Sequence, residues 1–438
     1  MSGMSRRSLI KIAGASGLAA TLGLSSACTG VGGSSSGEEG GGTALRYAWW
    51  GNNVRQQNYT KAQEQFMASN ADIKIQPEFA DYTAYQERMT TQMAARNVPD
   101  IFWVPSPQVM SYFASDIYHD LEGIDTLSLE DYSAADLESF KLNGKLNTMP
   151  FGIFAPVVRF NQTFLDEDDV DLPEDGPGWS WDALSELAVD YSKENSKKRW
   201  ALAYSLEHDL TFESWLRQHG EQLWTEDGQM GFTTDTVAGW INWWEKLRKA
   251  GATPSLSEQD GVAPDWPTIG EKVLGHFGNS NHIIDDAKQF PDYTFTLRHM
   301  PELPDAPAGY QFLYFPRMSI YSGIDEDKLA AAGSMINFNV NSVEMLKVVG
   351  LTMGAPVNPR VAEEVVEFAT EDEKGMLEII AEERAIERKP RYEAPPGTST
   401  WRAVMARIGE EVALQGTSVG DAAAKFTAEV KAGIDRAA

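Results

Sequence analysis

The chain has 438 residues, of which 42% are hydrophobic and 13 are Trp, and a formal charge of −27 at pH 7. That length suits two domains with a large buried core, and that charge argues against nucleic acid or anionic lipid, neither of which would release counterions to a surface of its own sign. Its one cysteine, Cys28, leaves no intramolecular disulfide and no thiolate cluster for a metal.

Residues 1–28 read as an export signal: a basic start, Ser5-Arg6-Arg7-Ser8-Leu9-Ile10-Lys11, then an apolar run rich in Gly and Ala. The paired arginines resemble a twin-arginine signal. Leu24-Ser25-Ser26-Ala27-Cys28 resembles a lipoprotein box, with Ser25 in place of the usual leucine and Cys28 as the acylated residue. Residues 29–43 form a Gly/Ser-rich linker. Together these imply an exported, cell-surface lipoprotein anchored by lipid to the outer face of the cytoplasmic membrane.

The body starts at 44–48, whose alternation predicts a buried strand ended by the Gly51-Asn52-Asn53 turn. Trp49 and Trp50 then sit at a strand's carboxyl end, where open α/β sheets bind ligands, and indole faces suit the apolar faces of sugar rings. Strand alternation sends the two indoles to opposite faces, so one packs and one faces a cleft, with Trp50 favoured for the cleft. A helix over 59–67, a strand over 73–77, a loop at Asp81-Tyr82, a helix over 85–95 and a strand over 101–104 follow. That alternation predicts a right-handed parallel sheet. Further on, 200–204 reads as a strand and 237–249 as a helix carrying Trp243 and Trp244 at core spacing, while the prolines of 301–307 mark a rigid connection. The acidic run 166–171 lacks the Gly and Glu of a calcium loop and reads as a solvated turn. The six histidines show no metal spacing, and no nucleophile elbow, zinc-protease helix or phosphate loop occurs.

Trp49-Trp50-Gly51, a helix ending in Phe66, Ile73-Lys74-Ile75, Asp81-Tyr82 with Tyr85, and Pro99-Asp100-Ile101 occur in that order. Thr148-Met149-Pro150-Phe151-Gly152, Phe160-Asn161, Trp181 to Leu187, Ser214-Trp215-Leu216, Gly354 to Asn358 and Leu414 to Ser418 continue the series. By their order and spacing across 44–435 they resemble the family 1 extracellular solute-binding proteins of ABC-type sugar importers, the maltose-binding-protein-like family. The resemblance implies an α/β, two-lobed periplasmic-binding-protein fold with discontinuous lobes and hinge crossovers. Lobe 1 would take 44–153 plus 301–341 and lobe 2 would take 154–300 plus 342–438, with hinges at 151–156 and 296–301. It also implies a mono- or oligosaccharide ligand, permease subunits as partners, a monomer, no cofactor and no catalysis.

Sugar recognition needs aromatic platforms and planar polar groups. In lobe 1 the candidates are Trp49, Trp50, Asn52, Arg55, Asp81, Tyr82 and Trp103 at three strand ends, Phe151 at the hinge, and Tyr310 and Phe312 in a glycine-bounded loop. Arg55 would suit an acidic sugar such as a uronate. In lobe 2 they are Glu207, His208, Trp215 and Trp401, together with Asn279, Asn281 and His282 after a helix expected to begin near Gly270. These last stand where relatives carry a cleft tryptophan. The alternatives are an exported carbohydrate-cleaving enzyme, which needs two carboxylates across a scissile bond, and a glycan- or peptide-adhesion lipoprotein, which needs no hinge.

Overall fold

The computed structural model describes residues 42–174, 176–195, 199–262 and 272–437. The expected signal, Cys28 and most of the linker lie outside the described residues, as does the start of the helix expected near Gly270. Among the described residues nine strands form: β1 (Thr43–Trp50), β2 (Ile73–Ala80), β3 (Ile101–Val104), β4 (Met149–Pro150), β5 (Pro156–Asn161), β6 (Trp200–Leu202), β7 (Val273–Asn279), β8 (Phe295–His299) and β9 (Arg317–Ile320). They build two sheets, ordered β2-β1-β3-β9-β4 and β6-β7-β5-β8, one per lobe. In the first, β1 runs parallel to β2 and β3, whereas β9 is antiparallel to β3 and β4. In the second, β6 is parallel to β7, and β5 is antiparallel to β7 and β8.

Local signals account for the elements that face the cleft. Helix α1 (Asn53–Ser69) is capped by Asn52, whose side chain accepts from the Arg55 amide at 2.9 Å. Helix α2 (Tyr82–Ala94) is capped by Asp81, which accepts from the Ala84 amide at 3.0 Å. Each cap satisfies an amide that a helix end would otherwise leave unpaired. Both helix N-termini therefore open at the carboxyl ends of β1 and β2, on one edge of the sheet.

The second lobe places helices α3 (Asp209–Gln218), α4 (Thr234–Lys249) and α5 (His282–Gln289) around β5 and β7, whose residues are all buried, as expected of strands covered on both faces. Trp243 and Trp244 on α4 are buried among Trp181, Trp240 and Phe277 with edge-to-face rings 5.1–5.9 Å apart. The chain after 341 divides between the lobes: Val343–Val349 packs on α1, while α6 (Glu371–Ala385) lies on β8 and α5. Helices α7 (Trp401–Gln415) and α8 (Val419–Ala437) pack together, α8 lying against α4. The expected assignment of the whole of 342–438 to lobe 2 is corrected for its first helix.

Three described segments cross between the lobes. Ile153 and Ala355 exchange backbone hydrogen bonds of 2.8 Å each, and Phe154 and Tyr314 exchange bonds of 3.1 and 2.9 Å. The first crossover thus falls at 151–156 as expected, but the second does not lie at 296–301, because 295–299 is strand β8 inside the second sheet; it comes at 312–316, and a third at 353–355. Glycine lets these segments touch. Gly354 sits at φ +96°, and a Cβ there would meet the Ile153 carbonyl oxygen at 2.1 Å.

Candidate ligand-binding site

A cavity of about 670 Å³ lies between the two lobes, with the crossovers at its back. Its lobe 1 wall is the edge opened by the strand ends: Trp50, Asn52, Arg55, Asp81, Tyr82 and Ser106. Its lobe 2 wall comes from Asn279 at the end of β7, from Asp209 and Arg402 in the first turns of α3 and α7, and from Asn281, His282, Asp285 and Lys288 along α5. Phe154, Tyr314 and Met353 from the crossovers close the back.

Trp50 forms the aromatic part of the floor. Its ring meets Tyr82, Tyr85 and Trp103 at 5.4, 5.2 and 5.1 Å. Burial raises the Tyr82 hydroxyl's pKa, so it stays a neutral donor and acceptor. Arg55 reaches from α1 across the cavity, its guanidinium 3.5 Å from the Thr352 carbonyl and 4.0 Å from Asp285. Opposite, the Asn281 amide donates to the Thr352 carbonyl at 2.8 Å. The Oδ1 atoms of Asn279 and Asn281 and the Nε of Arg55 are buried without a hydrogen-bond partner. Each such group forfeits about 1–3 kcal/mol unless something else binds it, and all three residues line the cavity.

The charges on these walls balance. Arg402 lies 3.8 Å from Asp209. Burial alone would push the Asp209 carboxyl upward, but Arg402 and then His208 outweigh it and hold its pKa below the ordinary range. Burial keeps His282 neutral by lowering its pKa well below the usual imidazole value, with Arg159 adding to the effect. Among the described residues no group of three or more His, Cys, Asp and Glu comes together as a metal site.

Several residues expected at the site stand elsewhere. Trp49 is wholly buried between Tyr47, Tyr59 and Phe79, because it occupies the face of β1 opposite Trp50. Trp103 is also wholly buried. Trp50 and Phe151 cover its ring, the latter at 4.6 Å, and its Nε1 donates to the Tyr47 hydroxyl at 2.9 Å. Phe151 is therefore buried at the crossover rather than exposed in the cavity. Glu207 meets Arg402 through its backbone carbonyl, and burial raises the pKa of its half-buried carboxyl. His208 is a buried N-cap of α3 that meets the Thr211 hydroxyl at 2.9 Å, and burial lowers its pKa to about 4.

Trp215 is a core residue donating to the Thr236 carbonyl and packed on Trp181 and Trp240. Trp401 packs on Phe212 and Phe426, while its neighbour Arg402, about 100° around the helix, reaches the cavity. Tyr310 and Phe312 border a smaller cavity of about 190 Å³, where the Tyr310 hydroxyl donates to Glu302 at 2.5 Å. The stretch 273–279 is a strand and not a continuation of the helix expected near Gly270, and this strand delivers Asn279 to the cavity edge.

Asp209, Asp285, Lys288, Tyr314 and Arg402 were absent from the expected set. Asp285, Lys288 and Gln289 follow His282 at three- and four-residue steps, so the helical period from His282 pointed to that face. No local signal marks Tyr314, which arrives through the crossover pairing with Phe154.

The family model for bacterial extracellular solute-binding proteins matches residues 61–375. Among solved structures, a periplasmic oligogalacturonide binding protein from Yersinia enterocolitica, in complex with saturated digalacturonic acid, aligns with a TM-score of 0.79 at 19% identity, covering 90% of this chain and 99% of that one. The GacH receptor of Streptomyces glaucescens, solved unliganded and with acarbose, aligns at 0.72 and 14% identity over 90% and 99% of the two chains. A cyclic alpha-maltosyl-1,6-maltose binding protein from Arthrobacter globiformis aligns at 0.65 and 19% identity over 90% and 100%. At these identities the likeness is one of fold.

Proposed function

The chain belongs to the bacterial extracellular solute-binding proteins, and from that membership we propose that it is the substrate-binding component of an ABC-type importer, capturing a carbohydrate between its lobes and delivering it to the permease. One observation carries the carbohydrate reading: a single cavity lined from both lobes sets the Trp50 and Tyr82 rings against the partnerless amide oxygens of Asn279 and Asn281 and the Nε of Arg55. A ring face needs the first and sugar hydroxyls suit the second. The structural relatives that bind oligogalacturonide, acarbose or cyclic alpha-maltosyl-1,6-maltose support the same class. Trp50, Asn52, Arg55, Asp81 and Tyr82 would contact the sugar from lobe 1, and Asn279, Asn281 and His282 from lobe 2.

A ligand bridging both walls favours the closed arrangement by its differential affinity for it, and the permease would read that closed form. The protein performs no chemistry in this reading. Export and a lipid on Cys28 would keep the protein, as a monomer, at the outer face of the cytoplasmic membrane beside its permease.

Titrating the protein by calorimetry with a panel of neutral and acidic mono- and oligosaccharides, with product analysis on the same samples, tests the proposal. Saturable binding without cleavage is expected. Turnover of any glycan would replace the reading with an enzyme, and absence of binding at micromolar concentration would remove the carbohydrate assignment. For the anchor, Cys28→Ser should move the protein from the membrane to the soluble fraction.

A further inference from the structure

Behind the lobe 2 wall, Arg159 on β5 and Asp286 on α5 are both wholly buried and form an ion pair, and neither lines the cavity. The Arg159 guanidinium also meets the buried ring of His276, its partner in the β5–β7 pairing, at 3.2 Å. Replacing a buried ion pair with apolar side chains of similar volume is often neutral or stabilising. Stability alone therefore gives no reason for two charges at this place.

His282 joins this buried group to the cavity, which it lines. Its Nδ1 accepts from the Asn279 amide at 3.3 Å. A ring nitrogen that accepts carries no proton, so the neutral ring holds its proton on Nε2. Gly278 is what lets the ring and the guanidinium come together: a Cβ there would meet two nitrogens of Arg159 at 3.1 Å each and His282 Nδ1 at 3.3 Å. Asp286 stands four residues after His282, on the same face of α5, so the ion pair that ties Asp286 to β5 also fixes where His282 sits. Burial, and then Arg159, His208, Arg55 and His276 around it, keep the imidazole uncharged.

We propose that the Arg159–Asp286 pair is a positioning device for the lobe 2 side of the binding site: it holds His282 in one orientation and one tautomer at the cavity wall. Its effect on affinity rests on the carbohydrate reading, whereas the state of the ring does not.

The test is nitrogen NMR of the full chain carrying isotope-labelled histidine, the His282 signals being those missing from His282→Gln. In the wild type Nδ1 should be bare and Nε2 protonated, with no change between about pH 5 and 8. Arg159→Met combined with Asp286→Leu puts apolar side chains in place of the pair; this protein should fold and show His282 as a mixture of tautomers. Gly278→Ala keeps both charges but sets a methyl against the guanidinium and the ring. It should do the same, and it decides the matter if the double variant does not fold. Calorimetric titration of the same proteins with a neutral glucose trimer and a uronate trimer gives the affinities. For whichever trimer binds, both variants should lose about tenfold, as for one lost hydrogen bond. A wild-type His282 protonated on Nδ1 or titrating in that range, a wild-type His282 spectrum in either folded variant, or full affinity in a variant whose ring has changed would overturn the proposal. Binding of neither trimer would instead overturn the carbohydrate reading, while the spectra still decide the role of the pair.

Discussion

Trp50→Ala and Trp103→Ala, made side by side, separate a ligand platform from a core residue. Trp50 keeps part of its surface in the cavity and meets three rings at 5.1–5.4 Å. Aromatic pairs contribute about 0.5–1.5 kcal/mol each beyond their area, so its loss should lower folding stability by about 2–4 kcal/mol. Trp103 is fully buried and hydrogen-bonded. Its truncation should cost about 3–5 kcal/mol for the cavity and about 1 kcal/mol for the lost bond to Tyr47. Binding should divide the other way. An anchoring aromatic removed from a binding site weakens a complex by at least about 2 kcal/mol, roughly 30-fold in Kd; Trp50→Ala should show this, whereas Trp103→Ala should change affinity less in the fraction that remains folded. Calorimetric titration gives the affinities, and urea melts followed by far-ultraviolet circular dichroism give the stabilities without relying on the indoles removed. Wild-type affinity in Trp50→Ala, or a native melt with lost affinity in Trp103→Ala, would reverse the roles assigned to the two residues.

Three further outcomes are expected. Arg55→Ala should weaken sugar binding several-fold, and Arg55→Lys should recover little of it, because a point charge does not replace the planar donors that reach Thr352 and Asp285; full recovery in the lysine variant would show that charge alone matters. Gly354→Ala should lower stability by about 3 kcal/mol, from two backbone bonds of about 1 kcal/mol each and about 1–2 kcal/mol of left-handed strain, read as a shifted denaturation midpoint; an unchanged midpoint would refute the close contact with Ile153. Protonated His299 donates to the Glu383 and Glu382 carboxylates at 2.9 and 2.7 Å, and the bond to Glu383 leads in raising its pKa to about 9. Because the folded value exceeds the ordinary 6.5, the stabilisation is complete below about pH 6.5 and fades as the pH rises through 9. His299→Gln should therefore lower Tm at pH 6 and have little effect at pH 10, and an equal loss at both would show that the charge is not involved.

Much of the first sheet was legible because its signals are short-range. Alternation in 44–48 predicted β1, and the helical and strand periods that follow predicted α1, β2, α2 and β3, although α1 begins six residues before the expected start at 59. Alternation also determined that Trp49 and Trp50 point to opposite faces. Which of them faces the cavity was decided by what covers each face: Tyr47, Tyr59 and Phe79 on one, and an open cleft on the other. Trp103 shows the limit of arguing from strand ends. It stands where ligands usually bind, yet Trp50 and Phe151 bury it. Trp401 is covered in the same way, by Phe212 and Phe426 from distant helices, while Arg402 beside it faces the cavity.

By itself, then, the sequence determined the alternation of elements and the order of motifs across the body, since each depends on neighbours a few residues apart. Only the tertiary structure decided the three crossovers and the far wall. Arg55 meets Asp285, Phe154 pairs with Tyr314, and Asp209 meets Arg402 across 160 to 230 residues of chain or so, and a contact at such separation is set by the packing of whole lobes, for which no local period exists.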